Sequence, residues 1–193
     1  NNYNIFIKIT FKHYLMKKII LSLFLSSSLN VYSQEIKKDI EQTKSEKFSQ
    51  RSGTLLQKDF IDLGQIGGTE IKILKISDLN NYESNSSVRF EKQGYGTYAD
   101  TYINTIDKDE VDGLIISIKN LLNNVLKSTP TTYTEVTYSS RGGFSLGTYF
   151  EVKKSKWTNF IKVEKYTSKS MAILNEADLQ SLLSLLEQAK TKI

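Results

Sequence analysis

Two stretches of the chain carry the same helical signature, one beginning near Asp107 and the other 68 residues later at Asn175. In the first, Val111, Leu114, Ile115, Ile118, Leu121, Leu122 and Val125 recur at intervals of three and four, which lays an apolar stripe along one side of an α-helix. In the second, Leu179, Leu182, Leu183, Leu186 and Ala189 do the same. Each start carries a capping signal: Asp107 with Glu110 three residues on, and Asn175 with Asp178. A striped helix must bury its stripe against another layer, so each of these needs a partner.

The sequence ahead of each helix supplies that layer. Strand-like runs fall near residues 55–63, 70–76, 87–92 and 97–105, punctuated by Gly64–Gly68, Leu79-Asn80-Asn81 and Gly94-Tyr95-Gly96. After the first helix comes Pro130, the only proline, which cannot extend it. Four further runs follow near 131–139, 144–152, 156–164 and 169–174, with Arg141-Gly142-Gly143 as a hairpin turn. The expected fold is α+β: antiparallel sheets from two ββββα units, residues 55–126 and 131–193, related by an internal pseudo-twofold, with both amphipathic helices packed on the sheet. This element order resembles that of the Whirly and PUR folds, whose members bind single-stranded nucleic acid. The resemblance implies a fold, and through it an alternative function as a binder of single-stranded nucleic acid or an anionic polymer.

The amino-terminal region reads as targeting rather than structure. Lys17 and Lys18 follow Met16, an apolar run spans Ile19 to Leu25, and a polar end runs from Ser26 to Ser33, the three parts of a secretory signal peptide. The apolar run falls short of the roughly 20 residues needed to cross a bilayer, so no transmembrane segment is expected in the mature chain. Residues 1–15 read as upstream translation, 16–33 as the signal peptide, 34–52 as a flexible charged linker and 53–193 as a single domain. The expected location is outside the inner membrane, in the periplasm, on the outer surface or in the medium. With its small β-rich body and final leucine-rich helix, the chain is similar to uncharacterised exported proteins of Gram-negative bacteria.

Removing the leader changes the charge argument. The chain holds 26 basic and 21 acidic side chains, and residues 1–33 carry four basic ones and no acidic ones, which leaves 22 against 21. A strongly basic balance is the electrostatic footprint of a nucleic-acid binder, and here it nearly vanishes. Export also argues against a nucleic-acid partner. The only histidine, His13, leaves with the same segment, and there is no cysteine anywhere. Zinc, histidine-dependent catalysis and disulfide stapling are thereby set aside, and neither a metal nor a cofactor is expected.

Three patterns suggest chemistry and each has a plainer reading. Gly143-Phe144-Ser145-Leu146-Gly147 matches the G-x-S-x-G nucleophile elbow, but a strand continues after Ser145 where an elbow needs a helix. Asp107, Asp109, Asp112 and Gly113 approach a calcium loop, yet the glycine comes one residue late and position twelve is Ile118. Glu91, Asp100, Glu135 and Glu151 could form a catalytic carboxylate pair, which leaves a carboxylate-dependent hydrolase as a further alternative. Aromatics interleaved with basic residues in the strands remain, a pattern that can stack rings on a sheet face. The candidate ligand surface is Tyr95, Tyr98, Tyr102, Arg141, Tyr149, Lys154 and Trp157. The expected function is that of an exported, non-catalytic binding or envelope-associated module whose partner is a cell-envelope or extracellular polymer.

Overall fold

A computed structural model of the chain describes residues 40–94, 96 and 99–193. The leader read over 16–33, the residues before it, the first part of the linker, Tyr95 and Tyr98 lie outside the described residues.

Strands β1 (Leu56–Ile66), β2 (Thr69–Asp78), β3 (Ser84–Gln93) and β4 (Thr101–Asp107) form an antiparallel meander in the order β1-β2-β3-β4. Helix α2 (Lys108–Asn123) follows; α1 (Lys44–Ser49) precedes the strands. Strands β5 (Thr134–Ser139), β6 (Ser145–Glu151), β7 (Lys156–Lys162) and β8 (Met171–Leu174) make a second meander in the order β5-β6-β7-β8, and α3 (Glu176–Lys190) closes the chain. The fold is therefore α+β with two ββββα units. Gly67 and Gly68 turn β1 into β2 with positive φ, whereas Gly64 belongs to β1, at a bulge between Asp62 and Gly64.

One core serves both units. The inner faces of the two sheets contribute Ile71, Ile73, Val88, Phe90, Ile106, Leu146, Ile161 and Leu174, and the stripes of α2 and α3 pack among them. Phe90 and Phe144 meet across the units with ring centroids 4.5 Å apart. The pairing ladders correspond unit to unit. Phe90 sits between Ile71 and Asn104 as Ile161 sits between Leu146 and Ala172, and Val88 faces Ile106 as Asn159 faces Leu174.

The helix starts differ. Asn175 and Asp178 form the expected reciprocal cap on α3. Asp107 occupies the N-cap position of α2 but makes no side-chain cap there. Its carboxylate instead accepts the backbone N–H groups of Lys44 at 2.7 Å and Ser45 at 3.1 Å, so it caps α1. Glu110 accepts the backbone N–H of Arg141 rather than closing a box with Asp107.

Part of the stretch read as a flexible linker is thus built into the fold. Thr43 and Glu46 form a capping box on α1, Thr43 shares a hydrogen bond with Thr105, and Thr43 and Ser45 are fully buried. Phe48 packs on Leu74 and Ile76. Those two residues have the opposite pleat parity to Ile71 and Ile73, so β2 is buried on both faces, by the core on one side and by α1 on the other.

Candidate ligand-binding face

The outer face of the first sheet is partly filled by α1; among the described residues, no segment covers its counterpart on the second sheet in the same way. Along β6, buried Leu146, Thr148 and Phe150 alternate with half-buried Ser145, Tyr149 and Glu151, so the latter point outward. Across the strands one outward row reads Thr137, Gly147, Phe160, Ile173 and the next Glu135, Tyr149, Thr158. Tyr133, just ahead of β5, completes a diagonal of rings. Tyr133 to Tyr149 and Tyr149 to Phe160 each measure 6.4 Å between centroids, with the planes tilted by 35° and 39°. Tyr133 is 61% exposed, and Ile173, directly opposite Phe160, is 55% exposed.

Gly147 shapes this diagonal. A Cβ there would stand 3.0 Å from Phe160 Cζ and 2.6 Å from the Val136 carbonyl oxygen. The bare backbone lets the Phe160 ring lie across the strand, the arrangement by which an aromatic covers a cross-strand glycine. Ring pairs at this spacing contribute about 0.5–1.5 kcal/mol beyond their burial, which holds the row in place without a ligand.

The polar rim is mixed in sign. Tyr133 donates to Glu135, and that bond raises the phenol pKa, so the hydroxyl stays protonated. Lys154 pairs with Glu151 at 2.8 Å, which raises the lysine pKa. Lys156 and Lys162 add positive charge at opposite ends of β7. Beyond Ile173 the face runs into a cavity of about 430 Å³, lined by Lys156, Trp157, Thr158, Asn159 and the start of α3.

Of the residues expected to form one ligand surface, Tyr95 and Tyr98 lie outside the described residues, and the five that are described do not meet. Tyr149 and Lys154 lie on or beside this face. Tyr102 is only 8% exposed and belongs to the core, because the pleat turns it inward with Asn104 and Ile106. Trp157 stands edge-on to Phe150 at 5.2 Å and donates its indole N–H to the Ser128 carbonyl, which makes it a strut for the loop after α2. Arg141 lies by the start of α2, where its guanidinium reaches Asp107 at 3.3 Å, Asp109 at 2.6 Å and Glu110 at 3.5 Å. Tyr133 and Phe160 are the additional ring residues; the readable signal for Phe160 was a mid-strand glycine that an aromatic could cover.

The other chemical candidates are structural in their surroundings. Ser145 opens a continuing strand opposite Ser139 and Lys162. Glu91 bonds Arg89 and Lys72; burial opposes its charge, but these cations still hold its pKa below the usual value. Asp109 is likewise held low against burial by Arg141 and Lys44, and Asp112 pairs with Lys190. Among the described residues no group of three or more acidic or histidine side chains could hold a metal ion, and no helix is long and apolar enough to cross a membrane. Comparison of the chain with protein-family models, curated proteins and solved structures returned no match.

Proposed function

We propose that the protein is an exported, non-catalytic binding module that holds an extended polymer of sugar rings, from the cell envelope or the surrounding medium, on the outer face of its second sheet. The observation that carries this reading is the diagonal Tyr133–Tyr149–Phe160, continued by Ile173, on a sheet face that nothing in the described chain covers as α1 covers the first sheet. The strip is contiguous, with Tyr133 and Ile173 exposed and Tyr149 and Phe160 half-buried between them, and a contiguous apolar patch open to solvent marks an interaction site more often than scattered exposure does. A row of rings on a flat face suits a chain of flat, repeating units better than a compact ligand.

Charge favours a neutral polymer. Lys154 is matched by Glu151, and Glu135 offsets one of the remaining lysines, so the face lacks the positive groove that tracks phosphates. The two carboxylates nearest the rings, Glu135 and Glu151, are engaged by Tyr133 and Lys154, which supports a non-catalytic role. Export rests on the Lys17-Lys18 start, the apolar run from Ile19 to Leu25 and the polar end that follows.

The test is a binding panel of soluble neutral polysaccharides and single-stranded oligonucleotides at low and high salt, with Tyr149→Ala and Phe160→Ala beside the parent. Loss of one stacking ring costs about 1–3 kcal/mol, so each variant should bind a polysaccharide at least about fivefold more weakly, with little salt dependence. Binding untouched by both substitutions, or no polysaccharide binding at all, refutes the site. Oligonucleotide binding that falls steeply with salt would replace this reading with the anionic-polymer alternative suggested by the Whirly-like element order.

A further inference from the structure

We propose that β1 is a dimerisation strand, pairing antiparallel with β1 of a second copy in a register centred on Phe60. The four sheet edges are not alike. β8 has four residues and β5 six. The β4 edge is met by the second unit: the Ile103 N–H donates to Glu164, and the Asn104 side chain donates to the Gly142 and Val163 carbonyls. β1 has eleven residues, pairs on one side only among the described residues, and carries Phe60 at 49% and Ile61 at 45% exposure. A long edge strand with exposed apolar side chains is a template for another strand unless something blunts it.

The sequence of β1 is self-complementary. An antiparallel pair with Phe60 opposite Phe60 places Lys58 opposite Asp62 and Asp62 opposite Lys58, two ion pairs generated by one twofold axis. On the other pleat face Asp59 meets Ile61, and the two Ile61 side chains become diagonal neighbours. Moving the centre to Asp59 sets that carboxylate against itself, and moving it to Ile61 sets Phe60 against Asp62, so only the Phe60-centred register matches the charges. The stretch from Leu56 to Asp62 is regular against β2, because the bulge falls after Asp62. Arg89 already stands over the Phe60 ring at 5.3 Å, which fixes the central side chain before association. The product is a continuous eight-stranded sheet, with the ring face of each second sheet left free.

The test is sedimentation velocity over a concentration series on the chain expressed in full and purified in the form in which it accumulates. The parent should dimerise with concentration. Lys58→Asp and Asp62→Lys each convert both ion pairs into like-charge contacts, and each should weaken the dimer at least about tenfold. Mixing the two variants restores opposite charges at both positions and should yield a dimer with one copy of each. The double variant K58D/D62K should self-associate as the parent does. Circular dichroism and thermal unfolding on each variant report whether the monomer is intact; both side chains are solvent-exposed, so it should be. A parent that stays monomeric at every concentration, single variants that dimerise unchanged, or a mixture that stays monomeric each overturns the proposal.

Discussion

Replacing Asp107 by alanine should loosen the amino-terminal end of the fold more than removal of a surface carboxylate would. Asp107 is 1% exposed and accepts from two backbone N–H groups of α1 and from Arg141. A hydrogen bond to a charged partner contributes about 1.5–3 kcal/mol, and loss of an N-cap acceptor costs about 0.5–2 kcal/mol. These interactions share one group and do not add. An upper bound comes from the segment itself: once α1 lets go, what remains to lose is chiefly the burial of Phe48, about 1.5–3 kcal/mol. The expected destabilisation is therefore about 1.5–3 kcal/mol, read by urea unfolding with the single tryptophan, half-buried Trp157, as the fluorescence probe. Trypsin should also cut faster at Lys44, Lys47 and Arg51. The sharper readout is a cycle with Phe48→Ala. If Asp107 acts by holding α1 in place, the double variant should be less destabilised than the sum of the singles by at least about 1 kcal/mol. An Asp107→Ala variant within about 0.5 kcal/mol of the parent, or strict additivity with Phe48→Ala, would refute the reasoning.

Three further outcomes are expected. Phe144→Ala removes a fully buried ring stacked on Phe90 and should cost about 3–5 kcal/mol in urea unfolding; a loss below about 1 kcal/mol would mean the two units do not depend on this contact. Gly147→Ala forces the Phe160 ring off the strand and crowds the Val136 carbonyl, so it should lower both the melting temperature and polysaccharide binding, and unchanged values for both would count against the platform. Stability should fall with acid: a hydrogen bond from Thr54 holds the Asp78 carboxyl below its usual pKa, and ion pairs hold Asp109 and Glu91 low despite burial. Groups with depressed folded pKa values stabilise above their unfolded values and lose that contribution as pH drops through the folded ones, so urea midpoints should be level near neutrality and decline below about pH 4. A midpoint that stays flat down to pH 2.5 would show these pairs to be inert.

Much of the architecture was legible because each element announces its own period. The stripes of α2 and α3 and the eight strand runs all appear within a few residues of their expected places, since a helix or hairpin is specified mostly by neighbours in sequence. What failed depended on distant partners. Asp107 has the right neighbours to cap α2, but α1 offers it two N–H groups and Arg141 a cation, and nothing near residue 107 signals either. The stretch before residue 52 was read by its Lys, Glu, Gln and Ser content, which hid a local signal: Thr43 and Glu46 have capping-box spacing, with Phe48 just beyond. Tyr102 left the expected ligand surface on parity. Whether Tyr102 or Tyr149 faces water depends on the pleat of its strand, and a shift of one residue reverses the answer. The β4 ladder begins at Thr101 rather than at residue 97, and its pleat sends Tyr102 inward.

The stacking of Phe90 on Phe144 says something about how such a chain can come into being. Each ββββα unit contributes only half of the interior, so a lone unit would present Ile71, Phe90 and the stripe of α2 to water. Such a half is viable only beside another half, either as two identical molecules or as two copies in tandem on one polypeptide. Tandem linkage removes the requirement that both halves stay alike. One outer face can take on a segment from outside the repeat, as the first has with α1, while the other keeps a row of aromatic rings.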